Sequence, residues 1–181
     1  MIVDRRVRHT LRGSRNHRTL WLMASFGMVV SSGCEAPDLT LPTAEEVEAT
    51  YLYSGTLTAE IHGNVAVVTI VQPSRHLRRG GRLWAKVGPY VLIFSKETEA
   101  LFRDYPGLAG VRAITVSSDG PEIARALLAR DELSDVKWRR ALNISGLARR
   151  DGTRKPTLLE DLVEWGEDHT EYEYNPRYSS P

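Results

Sequence analysis

Val65-Ala66-Val67-Val68-Thr69-Ile70-Val71 is the stretch on which the fold turns. Six of its seven residues are β-branched, and no polar residue larger than threonine interrupts it. Such a run stiffens χ1 and fits a pleated sheet, so it reads as a buried strand. Just upstream, His62-Gly63-Asn64 has turn chemistry. The preceding Tyr51–Ile61 is rich in β-formers, with Gly55 a candidate bulge, and the two runs read as a hairpin. Downstream, Gln72 to Gly81 reads as a loop carrying Pro73. Leu83–Val87 and Tyr90–Phe94 read as strands divided by Gly88-Pro89. Glu97–Tyr105 reads as a short helix stopped by Pro106-Gly107, and Val111–Val116 as a further strand.

The last third reads as helical. Asp119 is an N-cap candidate before Pro121, with Ile123, Ala124, Leu127 and Leu128 as an apolar stripe. Ser134 opens a second helix, and Thr157-Leu158-Leu159-Glu160 has the capping-box pattern of a third. The tail Thr170–Tyr174 alternates polar and aromatic residues and suits an edge strand, ended by Asn175-Pro176. Strands first and helices last define an α+β chain. The expectation is an antiparallel-rich N-terminal sheet with a single βαβ crossover within Tyr90–Arg130, followed by three C-terminal helices.

Arginines 5, 6, 8, 12, 15 and 18 precede the apolar run Leu20–Val30, and Ser31-Ser32-Gly33-Cys34 follows. A positive head, a short apolar middle and small residues make a secretory leader. The run is well short of the roughly 20 residues of a membrane-spanning helix. The Arg5-Arg6 pair lacks the flanking residues of a twin-arginine signal. The segment resembles the leader of bacterial lipoprotein precursors, with Ser31 standing where that family usually has Leu. The resemblance implies acylation of Cys34, cleavage just before it and tethering in the cell envelope. Glu35 is not the Asp that retains some members at the inner membrane, which points to the outer one. The implied organisation is a leader at 1–33, a lipidated Cys and Pro-containing tether at 34–48, and one α+β domain at 49–181. Cys34 is the chain's only cysteine, so no disulfide framework exists.

Cleavage leaves 148 of the 181 residues, enough for one domain with a core. The chain's formal charge of +1 is dominated by the leader, whose six arginines oppose one acid, Asp4. What remains is close to −4, so no global footprint for nucleic acid is present. Arginine outnumbers lysine twenty to four, which argues against reading any single arginine as functional.

Three clusters are candidate sites. Arg75, Arg78, Arg79 and Arg82, on a Gly-containing loop, suit an anionic lipid head group or envelope polymer. The loop lacks the interleaved aromatics that stack single-stranded bases. Glu160, Glu164 and Asp168 share a helix face with Asp161 and Glu167 nearby; this suits a basic partner, a hard cation or simply solvent. Asp168-His169-Thr170-Glu171 gives His169 as the one weak candidate for general-base catalysis. His62, His76 and His169 have no metal-ligand spacing, and no nucleophile elbow occurs, so neither a metal nor a cofactor is expected. Trp84, Trp138 and Trp165 read as core anchors. The functional expectation is a non-catalytic binding or assembly module, membrane-held through its lipid, facing an envelope protein or an anionic lipid or polymer. The alternative is a tethered hydrolase or anion-binding enzyme using the Arg75–Arg82 loop with His169 or nearby acids. Expressed in a bacterium fed labelled fatty acid, the wild-type chain should take up label and Cys34→Ser should take up none; label on neither would refute the anchor.

Overall fold

Val65–Val71 is a strand, β2, and both its neighbours are set by its register. On one side it pairs antiparallel with β1, Leu57–His62, across a two-residue turn in which Gly63 takes φ 63°. On the other it pairs in parallel with β3, Gly110–Val116. The protein was taken as a computed structural model, which describes residues 39–51, 53–72 and 74–179, without the side chains of 74–80. Cys34 and its leader lie outside the described residues.

The sheet is completed by β4, Glu122–Ala129, and β5, Glu171–Tyr174, both antiparallel, in the order β1-β2-β3-β4-β5. The α+β class is correct and the sheet is antiparallel-rich, with one parallel ladder. The crossover serving that ladder runs from β2 to β3 rather than through Tyr90–Arg130. It consists of α2, Ser74–Ile93, and α3, Lys96–Asp104. α1, Ala44–Tyr51, precedes the sheet; α4, Asp135–Asp151, α5, Thr157–His169, and the short α6, Pro176–Ser179, complete the chain.

Two expectations fail here for opposite reasons. Residues 74–93 are not loop and strands but α2, whose backbone leaves the helical region at Gly81, with φ 54° and ψ −133°. Trp84, Ala85 and Val87 through Tyr90 are all buried. Helical spacing of the apolar residues is present along α2, but Gly80-Gly81 and Gly88-Pro89 inside it are breaker signals, and the apolar residues between and after them read as short strands. One side of α2 lies on β3 and β4, and α5 covers another. Conversely, Glu122–Ala129 is a strand rather than the first of three C-terminal helices. Its Ala, Leu and Arg are helix formers, but Ser117 to Pro121 closes a turn with Gly120 at φ 100°. Ala124, Ala126 and Leu128 then alternate inward opposite Thr115, Ala113 and Val111.

Val111, Ala113, Ala126 and Leu128, with Ala59, Ala66, Val68 and Ile70, meet the helices in the main core, while Ala124 joins Ala85 and Ile123 in a smaller one. Small side chains on the sheet let α2 come close. At Gly88 a Cβ would lie 2.8 Å from the Thr115 methyl and 2.9 Å from Gln72 Oε1, so only glycine fits. Val65, Thr69, Ile114 and Val116 alternate onto the other face, where they are half-buried.

The folded part begins before residue 49. Thr43 and Glu46 form a reciprocal capping box that opens α1, with the Thr43 N–H bound to Glu46 at 2.8 Å. Pro42 is buried, and the Gly107 N–H donates to Thr40 C=O. The box expected at Thr157 and Glu160 does not form; Pro156 occupies the N-cap without a side-chain bond. From α1, Glu48 accepts the Ala59 N–H at 2.8 Å on the outer edge of β1. A carboxylate set there obstructs strand addition.

Arg130 fastens the far end of the crossover. Its guanidinium donates to the carbonyls of Phe102, Tyr105 and Leu108, at the end of α3 and the loop after it, and lies 5.2 Å from the Phe102 ring. A cation there also suits the helix dipole. Arg130→Ala should lower the unfolding free energy by about 2–4 kcal/mol, with charged hydrogen bonds worth about 1.5–3 kcal/mol each. It would be read as a lower denaturant midpoint at unchanged slope; a midpoint within error of wild type would refute the role.

Candidate functional site

A cavity of about 310 Å³ opens where α1 ends, β2 ends, α3 begins and α4 ends. Each element brings residues for a local reason. α1 stops at Tyr51, whose hydroxyl meets Thr98 Oγ1 at 2.8 Å inside the core. Thr98 Oγ1 in turn donates to the Leu92 carbonyl, and Ser95 Oγ caps α3 by accepting the Thr98 N–H. The Tyr51 ring is therefore a fixed wall. Burial pushes its phenol well above the ordinary tyrosine value, against the opposing bond to Thr98, so it stays neutral. Tyr53 and Trp84 add aromatic wall; Ile70, Val91 and Leu92 add aliphatic wall.

The floor holds Gln72, the residue that follows β2, with only 3% of its surface exposed. Its Nε2 donates to the Trp84 carbonyl at 2.6 Å. Pro89, inside α2, has no N–H to donate to the Ala85 carbonyl one turn back. Among the described residues Gln72 Oε1 has no hydrogen-bond partner. Leaving a buried acceptor unpaired costs about 1–3 kcal/mol, so such an atom calls for an explanation. Because the amide nitrogen is already committed, this oxygen can only accept.

The mouth is charged. Glu97, in the first turn of α3, is half-exposed; Arg149 and Thr153, at the end of α4, are exposed. Among the described residues neither Glu97 nor Arg149 has an ion-pair partner, although both line this one cavity. Aromatic walls, one buried acceptor and a charged rim are the elements from which small-molecule sites are built.

The clusters singled out in the sequence lie elsewhere. Residues 75–79 belong to α2, not to a loop, and the side chains of Arg75, His76, Arg78 and Arg79 lie outside the described residues. Arg82 is exposed and lines an open groove with Lys86, Glu160, Glu164, Glu167 and Asp168. There Lys86 meets Glu167 at 3.5 Å, so α2 supplies the charge that faces the acidic helix. Arg140 sits over the Trp165 ring at 4.7 Å.

His169 lines a different, smaller pocket with Glu132, Asp168 and Glu171. Its Nδ1 is 2.9 Å from Glu132 Oε1, and its ring lies edge-on to Trp165 at 4.2 Å. The pair ties the 3-10 turn Arg130–Glu132 to α5. His62 pairs with Glu60 at 2.8 Å on the exposed side of β1. Among the described residues no group of three or more His, Cys, Asp or Glu is placed to hold a metal ion, and no helix is long and apolar enough to cross a membrane.

Comparison with protein-family models, curated proteins and solved structures finds nothing that matches this chain. The cavity residues went unmarked in the sequence for a related reason: Tyr51 and Thr153 are a hundred positions apart and follow no motif. One signal was there. Gln72 is an amide directly after a β-branched run, ahead of Pro73, where the strand end enters the core.

The Glu132–His169 contact makes a pH prediction. The bond from His169 holds the Glu132 carboxyl below its ordinary value, against a smaller opposing effect of burial and with help from Lys137. A lowered carboxylate stabilises the fold above its unfolded-state pKa, and that contribution is lost as pH falls through the folded-state value. Acidic Asp168 and Glu171 share the pocket, and Lys137 Nζ stands 3.5 Å from Glu132. Wild type should be more stable than Glu132→Gln at pH 7, and the gap should close on acidification below about pH 4. Denaturant titration of both proteins across that range checks it; a gap constant with pH would refute it.

Proposed function

We propose that this chain is a non-catalytic ligand-binding module of the bacterial cell envelope, held to a membrane through acylated Cys34 and facing the periplasm. The reading joins the leader and its Ser32-Gly33-Cys34 ending to the cavity between β2, α2 and α4. One observation carries the binding half: Gln72 Oε1, buried and unpartnered, on the floor of an aromatic-walled cavity. A ligand that donates to that oxygen gives it a hydrogen bond that no described residue supplies.

The outer membrane is the proposed location, from Glu35 after the cysteine. The envelope partner, if protein, meets a domain whose outer charge is mildly acidic.

The probe that tests the cavity is 4-methylphenol, an apolar ring with one O–H donor, against toluene, which lacks the donor. With the full chain in detergent, 4-methylphenol should raise the melting temperature and toluene should do so far less. Gln72→Leu removes the unsatisfied oxygen along with the bond to Trp84, so its stability should stay within about 1–2 kcal/mol of wild type. Its discrimination between the two probes should disappear. Equal shifts for both probes in wild type, or none at all, would sink the cavity as a binding site.

A further inference from the structure

The cavity is graded from end to end. At its inner end Gln72 is 3% exposed and presents a single acceptor. Between lie the rings of Tyr51 and Trp84, both under 10% exposed. At its outer end stand Glu97 and Arg149, of opposite sign and unpaired with each other. Each layer asks for a different chemistry. The inner oxygen asks for an N–H or O–H donor, because it can only accept. Aromatic walls ask for a flat apolar body, which stacks or meets them edge-on. A volume near 310 Å³ lies at the small end of ligand cavities and suits one or two rings.

The rim is the most informative layer. Two opposite charges that border one opening without bonding form a split site: the carboxylate can take an ammonium and the guanidinium can take a carboxylate. A purely anionic ligand would leave Glu97 repelling it. A purely cationic one would meet the same difficulty at Arg149. Only a head group carrying both signs satisfies both residues.

Resting on the cavity as a binding site, we infer that its ligand is a small zwitterion with a donor-bearing ring, the chemistry of a free amino acid with a phenol or indole side chain. The ring lies between Tyr51 and Trp84, its O–H or N–H reaches Gln72 Oε1, and its ammonium and carboxylate meet Glu97 and Arg149. The head group stays at the solvent end, so its charges are never fully desolvated.

Isothermal titration of the full chain in detergent micelles with L-tyrosine and L-tryptophan tests this. At least one should bind. Its amine lacking the carboxylate (tyramine or tryptamine), its acid lacking the ammonium, and phenylalanine lacking the ring donor should each bind about tenfold or more weakly. Arg149→Gln should abolish the preference for the amino acid over the amine. Glu97→Gln should abolish its preference over the acid. Both substitutions lie at the exposed rim and leave the core untouched. If neither amino acid binds, or if the amine and acid bind as well as the parent, the zwitterion inference is overturned. Should 4-methylphenol still bind through Gln72 in that case, the cavity itself stands; should it fail too, both readings fall.

Discussion

The closeness of α2 to the sheet governs the arrangement of everything else. At position 88 there is no room for a side chain, because Thr115 below and Gln72 beside it already fill the space. That approach depends on small residues across the sheet's inner row, where Ala59, Ala66, Ala113, Ala124 and Ala126 keep the surface low. Once α2 is seated so near, its outward side is still apolar and must be covered, which is the work of α5. α4 then packs on α5 and sets Trp138 edge-on to Phe102 of α3. The cavity is the space left where this stack meets the end of β2. Gln72 reaches in from the strand to the Trp84 carbonyl, and its buried oxygen has no partner among the described residues.

How much of this was legible depended on how each element is buried. β2 and β3 were plain, since β-branched runs between turns have few other readings. α3, α4, α5 and β5 were plain too, as each keeps one wet face and a clear period. α2 was not, because Gly80-Gly81 and Gly88-Pro89 inside it are breaker signals and divide its aromatic and aliphatic residues into runs that read as strands. β4 failed the other way: its alanines and leucines favour helix, and only the Asp119-Gly120 turn signal spoke for a hairpin. At the N-terminus the prolines drew attention to a tether and away from the capping box at Thr43. The cavity was the least legible part. A buried amide unsatisfied in the fold has no sequence pattern, and walls from four separate elements cannot be assembled without the tertiary structure.

The arginines show what composition conceals. An excess of twenty over four argued for ignoring them individually, yet several have distinct tasks. Arg130 gathers three carbonyls, Arg125 bridges Glu173 of the neighbouring strand, and Arg140 covers an indole face. Arg149 borders the cavity without an ion-pair partner among the described residues. A planar guanidinium can do each of these things because it donates in a fixed fork and stacks on its faces. Its surroundings, not its abundance, decide what each arginine does.

The contact between Thr40 and Gly107 has a mechanical side. The described chain enters the fold there, and a Cβ on Gly107 would collide with the carbonyl of Leu39. A protein held at Cys34 would feel any pull on its anchor first at this point, six residues along the chain. The loop that receives it, Tyr105 to Leu108, is the one whose carbonyls Arg130 grips from the end of β4. Tension arriving at Thr40 would therefore be shared between α1, which the chain enters at Ala44, and the loop that Arg130 grips and that runs directly into β3 at Gly110. Loss of the Arg130 contacts would leave that second branch held by the backbone bonds of Ala109 to Asn64 and Arg130.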